Sequence, residues 1–286
     1  MNMQSSQLIN TEALTLSVFS PHVVIVAYKE DTTPLNRSLQ NEGFTVEEVR
    51  GPYTPQQLNY SAAMRCLVNH SNAWRIAATS SLPTIIVEAD FVPVQGIGDL
   101  PVPLPSENLY SGISYLYACG PQVWDLATPS IARGHAGAMV ALLIPPKVAQ
   151  LLLDFFENEV QINFTGEYSP WDAKIGYWLK EKGIQSYIPY RNYGEHGGIG
   201  NPEHRKAGLG RQHQADALQG KLLFKPMYSN NNQLFYYKKR FRARIWGILR
   251  LLSGRLIAWH DLQRSGSLQI LRFTIGRLLF SQPPIR

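Results

Sequence analysis

Residues 22–27, His-Val-Val-Ile-Val-Ala, form a β-branched apolar run that predicts a buried strand. A turn at Asp31-Thr-Thr-Pro34 follows, then a short helical pattern to Gln40 that Gly43 ends. Residues 44–49 predict a second strand, and Gly51, Pro52 and Pro55 a loop. Ala63, Cys66, Leu67, His70, Trp74 and Ala77 then recur at helical spacing. They predict a helix to about Thr79, capped by Asn59 or Ser61 and stopped by Ser80-Ser-Leu-Pro83.

Residues 84–87 read as a strand with Glu88, Ala89 and Asp90 at its C-terminal end. Residues 92–108 are rich in Pro and Gly without periodicity, which predicts a loop crossing the surface. Strands are expected at 110–119 and 138–144. Pro145-Pro146 opens a helix to about Asn158, with Val148, Leu151, Leu152 and Phe155 as its apolar face. Another helix spans 170–182, ended by Gly183, and a late strand spans 184–188. Residues 194–210 are glycine-rich, hold His196, His204, Arg205 and Lys206, and predict a loop outside the core. Strands alternating with helices imply an α/β sheet covered on both faces.

Composition changes this picture in one respect. A chain of 286 residues with 44% apolar content builds one large α/β unit plus a smaller appendage. Two cysteines exclude a disulfide scaffold and suit a reducing compartment. The polar opening lacks the pattern of a secretory signal, and no run is long and apolar enough to span a bilayer. Charge, however, is uneven. Residues 217–286 carry 13 Lys+Arg against Asp261 alone, so the remainder has 14 basic and 21 − 1 = 20 acidic residues. A mildly acidic body thus bears a strongly basic tail, beginning after Ser229-Asn-Asn-Asn232. Phe241, Ile245, Ile248, Leu249, Leu252 and Leu256 share one helical face in that tail, with basic residues around it, and residues 268–280 repeat the style. Such a helix suits an anionic membrane surface, and packing on the body is the competing reading. Nucleic acid is not expected, because the acidic body opposes a wrapped phosphate backbone.

The chemistry centres on Glu88 and Asp90. Ligands of open α/β sheets bind beyond the carboxyl ends of strands. Two carboxylates two residues apart point the same way along an extended chain and repel each other. A divalent ion such as Mg²⁺ or Mn²⁺ resolves the repulsion and in turn holds a diphosphate; a solvated loop start is the plainer reading. His196, among glycines, is a candidate to complete the metal shell, and Arg205 and Lys206 are candidates to neutralise a diphosphate. A flexible loop is the alternative for all three.

The order Cys66-x-x-Asn69-His70-x-x-x-Trp74, Leu82-Pro83, then Ile85-Ile-Val-Glu-Ala-Asp90 resembles glycosyltransferase family 25, which includes lipooligosaccharide-type and collagen galactosyltransferases. The opening strand with Arg37 beyond it, residues 137–153, and Trp171-Asp172 are similar to further segments of that family. The resemblance covers roughly residues 23–188. It implies a GT-A-like fold at 21–228, between a flexible N-terminus at 1–20 and a basic amphipathic helical tail at 233–286. It also implies a UDP-sugar donor, a manganese-type ion and inverting transfer of a hexose. The acceptor would be a lipid-linked or surface oligosaccharide of the lipopolysaccharide type, met from the cytoplasm by a peripheral enzyme on the inner membrane face. Asp172 is then the general base, Asp90 and His196 the metal ligands, and Glu88, Asp90, Arg37, Arg205 and Lys206 the nucleotide-sugar contacts. Ala89 and Asn69 depart from the family pattern, which has an acid and a serine there. The missing acid motivates the rival reading, a non-catalytic GT-A-like protein associated with membrane. His70 is expected to be a core histidine bonded to backbone, and Trp74 a core residue.

Overall fold

The computed structural model describes residues 14–163, 165–199, 214–259 and 268–280. Eight strands form one sheet: β1 (His22–Val26), β2 (Thr45–Val49), β3 (Thr84–Glu88), β5 (Ile113–Tyr115), β6 (Gln122–Thr128), β7 (Ile131–His135), β8 (Ala141–Ile144) and β9 (Ser186–Pro189). Their order is β2-β1-β3-β8-β5-β9-β7-β6. β1 runs parallel to β2 and β3, β5 parallel to β9, and the remaining pairings are antiparallel. A second, two-stranded sheet pairs β4 (Phe91–Pro93) with β10 (Gly194–His196).

Alternation along β1 explains why its run is apolar throughout. Val24 and Val26 join a core with Leu67, Trp74, Leu152 and Ile175, from α3 (Ala62–Thr79), α4 (Pro146–Ile162) and α5 (Trp171–Glu181). Val23 and Ile25 face the other way, onto Leu35 and Leu39 of α2 (Thr33–Asn41) and Leu16 and Phe19 of α1 (Leu16–Phe19). Both faces of the sheet are covered at β1, so Val23, Val24, Ile25 and Val26 are all buried. Ser61 is the cap of α3, accepting from the Met64 N–H at 3.1 Å.

Several expectations need correction. Residues 14–20 are not a flexible lead: Leu16 and Phe19 are buried, and Leu16 N–H donates to Leu100 C=O. The stretch 92–108 is only in part a surface crossing: Gln95, Asp99, Pro101, Ser106 and Glu107 are exposed, but Val92, Val94, Ile97, Val102 and Leu104 are buried. Its prolines and glycines serve an irregular path through apolar surroundings. The strand expected at 110–119 is regular only over Ile113–Tyr115. β6 and β7 carry no forecast at all; register shifts interrupt their pairing and blur the period of two. Residues 194–196, expected to start a loop, are strand β10.

The tail is integrated with the body. Asn232 caps α6 (Gln233–Leu252), and α7 (Leu268–Leu279) follows. Two buried ion pairs fasten these helices. Arg277 is 1% exposed and grips Asp216 through Nε at 3.2 Å and Nη2 at 2.9 Å, while Nη1 donates to Pro189 and Tyr190 C=O. Arg240 pairs with Glu195, which is fully buried. Gly247 lets α6 lie close: a Cβ there would stand 2.9 Å from Leu278 and 3.0 Å from Asp216. Leu256, expected on the α6 face, lies beyond the helix and is buried.

Candidate functional site

The site forms where β3 ends. β3 delivers Glu88, a turn passes through Ala89 and Asp90, and β4 begins at Phe91. Ala89 N–H donates to Val26 C=O, so the turn stays attached to β1. β10 pairs with β4 in a register that puts His196 opposite Phe91, beside Asp90. His196 Nε2 lies 2.9 Å from Asp90 Oδ2. Gly198 presses on this pair; a Cβ at that position would collide with the Asp90 carboxylate. The sequence-predicted closeness of the glycines is therefore used within the protein, against Asp90 itself.

Glu88 is held from the other side. His70, fully buried on α3, places Nε2 3.1 Å from Glu88 Oε1. The Cys66 thiol, one turn earlier, lies 3.7 Å from the same oxygen. His70 thus contacts a site carboxylate, not backbone as expected, and its ring packs between Trp74 and Trp171. Burial and then the Glu88 charge push the Cys66 thiol well above its ordinary pKa, so it acts as a neutral donor. Trp74 is fully buried, a core residue as expected. Asn69 is a clasp: its Nδ2 donates to Ala27 C=O at 2.7 Å and its Oδ1 accepts from Gly51 N–H at 2.9 Å.

Glu88, Asp90 and His196 bring ligand atoms within 4.8 Å of one another. Asp90 Oδ1 is buried with no hydrogen-bond partner among the described residues. A buried carboxylate oxygen without a donor is the feature a cation satisfies. Two carboxylates and one imidazole suit a magnesium- or manganese-type ion, so the residues present fit one. For the His196 imidazole, burial opposes protonation, but the Asp90 charge and hydrogen bond, with Glu88 and Glu195, outweigh it and raise the pKa to about 9. With that proton, His196 is the counter-charge of Asp90.

Two cavities share these carboxylates. One, of about 290 Å³, is lined by Tyr28, Tyr53, Arg65 and Asn69 together with Glu88 and Asp90. Tyr28 and Tyr53 meet edge to face at 5.6 Å between centroids, and the Arg65 guanidinium lies over Tyr28. The other, of about 310 Å³, is lined by Tyr117, Tyr168, Trp171, Asp172 and His196 together with Glu88 and Asp90. Asp172 begins α5, and its Oδ1 accepts from the Ala173 N–H at 2.9 Å. Burial pushes its carboxyl up to about 6; that hydrogen bond opposes the rise and the Glu88 charge adds to it.

Five residues of the expected set are thereby located. Glu88, Asp90, His196 and Asp172 converge on one cavity. Arg37 does not join them. It is exposed on α2 and lines neither cavity, because Leu35 and Leu39 occupy the buried face two residues to either side. Arg205 and Lys206, with His204, lie outside the described residues. Tyr28, Tyr53, Arg65 and Tyr168 line the cavities without having been picked from the sequence. Arg65 had a signal: it sits in the first turn of the helix that Ser61 caps, next to Cys66.

No family model matches the chain, and no curated protein matches it. The fold and the geometry of the site therefore carry the functional reading.

Proposed function

We propose that this chain is a metal-dependent inverting glycosyltransferase with a GT-A-like fold. It moves a hexose from a UDP-sugar to a lipid-linked or surface oligosaccharide of the lipopolysaccharide type. The observation that carries the reading is the convergence of Glu88, Asp90 and His196 with Asp172 around one cavity, next to a second cavity walled by aromatics. The aromatic cavity, with Tyr28, Tyr53 and Arg65, takes the flat base of the nucleotide. Ala62, at the start of α3, lines both cavities, so the positive end of that helix faces the diphosphate between them.

Glu88, Asp90 and His196 would hold a divalent ion, which when bound neutralises diphosphate charge. Asp172 does the proton chemistry. As the acceptor hydroxyl oxygen bonds to the anomeric carbon, the carbon–oxygen bond to the diphosphate breaks. The hydroxyl proton passes to Asp172, and UDP leaves with the electron pair. A carboxylate whose pKa lies near 6 is charged at neutral pH yet basic enough to accept a proton. One direct displacement inverts the anomeric centre. His70 does not touch substrate in this scheme; it positions Glu88, together with the Cys66 thiol, which lines both cavities.

Two observations favour the rival reading, a non-catalytic GT-A-like binding protein. His196 already pairs with Asp90, and Ala89 packs on the apolar core where the family pattern has an acid. Hydrolysis of a panel of UDP-sugars, with and without chelator, separates the two. Metal-dependent turnover that Asp90→Asn abolishes supports the transferase; undiminished turnover in chelator contradicts it.

A further inference from the structure

We propose that the outer face of α6 is a docking surface for an anionic lipid bilayer. The case begins with the direction in which the helix faces. A surface helix ordinarily turns its apolar stripe to the core and its charges to water. α6 does the opposite. Leu234, Phe241, Ile245, Leu249 and Leu252 recur at intervals of seven, four, four and three residues, so they share one side. That side faces outward: Leu234 is 79% exposed, Phe241 69% and Leu252 77%. Three of its arginines turn inward. Arg240 reaches Glu195, Arg244 donates to Asp216 C=O, and Arg250 donates to Gly120 C=O. Ala243 and Gly247 bury the helix's small-residue side against the body.

This arrangement sharpens the meaning of the tail's charge. Several of its arginines are structural and are not offered to a partner. What remains on the outside is an apolar ridge that carries Lys238 between Leu234 and Phe241, with Arg242 and Trp246 beside it. Apolar side chains, cations whose long stems lift their charge to the headgroups, and an indole at the boundary match the cross-section of a bilayer surface: acyl region, anionic headgroups and the interface between them. A second copy of the chain fits less well. α6 contains no acid, so two such faces would bring like charges together. No helix of the described residues is long and apolar enough to cross a membrane.

Docking would also fix the orientation of the site. Arg240 ties the far side of α6 to Glu195, and Glu195 Oε1 accepts from the N–H of His196 at 3.1 Å. The lipid-facing helix is thus one buried ion pair from the strand that carries His196. A rigid link of this kind holds the two cavities at a set attitude to the bilayer.

Flotation of the full chain with vesicles tests the inference without any sugar nucleotide, so its outcome is separate from that of the transferase reading. Wild type should float with phosphatidylglycerol–phosphatidylcholine vesicles and poorly with phosphatidylcholine alone, and its tryptophan emission should shift to the blue on binding, a shift that Trp246→Phe should lose. Phe241→Glu/Leu252→Glu should lower binding about tenfold or more with an unchanged thermal melt, since both side chains are exposed. Lys238→Gln/Arg242→Gln should weaken binding and flatten its salt dependence. Equal flotation of Phe241→Glu/Leu252→Glu and wild type would overturn the proposal. So would a lipid-free dimer that this variant converts to monomer, because the face would then be covered by a second copy.

Discussion

Arg277→Met is the sharpest test of whether the basic C-terminal segment belongs to the fold. In the native protein the Arg277 guanidinium makes two bonds to Asp216 and donates to Pro189 and Tyr190 C=O, all out of contact with water. Methionine fills much of the volume but donates nothing. Asp216 would keep Asn192 Nδ2 at 3.2 Å and Ala217 N–H at 2.8 Å, yet its charge would be buried without a counter-ion. Removing one partner of a buried pair costs about 3–5 kcal/mol, most of it the penalty on the charge left behind. With an m-value of about 3 kcal/mol/M, the urea midpoint should fall by about 1–1.7 M. Asp216→Asn on the same background removes the stranded charge and should recover a large part of the loss. Equilibrium urea unfolding followed by circular dichroism reads both changes. A single variant within about 1 kcal/mol of wild type would refute the claim that α7 is locked to the body, since that is the range of exposed pairs.

Further outcomes follow from the site. Transfer should rise with pH through about 6 and then level, as Asp172 loses its proton, and Asp172→Asn should lose roughly 10²–10⁴ in turnover. Stability should run the other way for this residue: its raised pKa favours the folded state below the ordinary value of 3.8, and that contribution fades as pH rises through about 6. Hydrogen–deuterium-referenced NMR titration of the carboxyl checks the value directly. Gly198→Ala should impair metal binding by calorimetry, because its Cβ would displace the Asp90 carboxylate. Arg65→Ala should weaken UDP binding measured by fluorescence, whereas Arg37→Ala should leave it unchanged, as Arg37 lies outside both cavities.

The elements that sequence pattern located are those whose burial follows one simple period. β1 is apolar because both faces are covered, and α3 shows its helical repeat because one side packs on the sheet. β6 and β7 escaped because register shifts break their alternation. The stretch 92–108 misled because its prolines and glycines mark irregular backbone, which here turns its apolar residues into the core while Gln95, Asp99 and Glu107 stay at the surface. For the site, Glu88 and Asp90 were legible as acids at a strand end, and His196 as a histidine among glycines. Asp172 entered through its likeness to a family segment. Their meeting was not legible, because it depends on β10 pairing with β4 across a hundred residues of chain. The roles of His70 and Cys66 as supports of Glu88 required the distances. The tail's charge was legible, but its direction was not. A helical repeat of apolar residues shows that a face exists, and only packing shows that Arg240 and Arg277 turn inward while Phe241 turns out.

Calorimetric titration of the protein with UDP, in the presence and absence of Mn²⁺, bears most directly on the site formed by Glu88, Asp90 and His196. Binding should depend on the ion and should be lost in Asp90→Asn. Equal UDP affinity with Mn²⁺ and with chelator, or no UDP binding under either condition, would contradict the assignment.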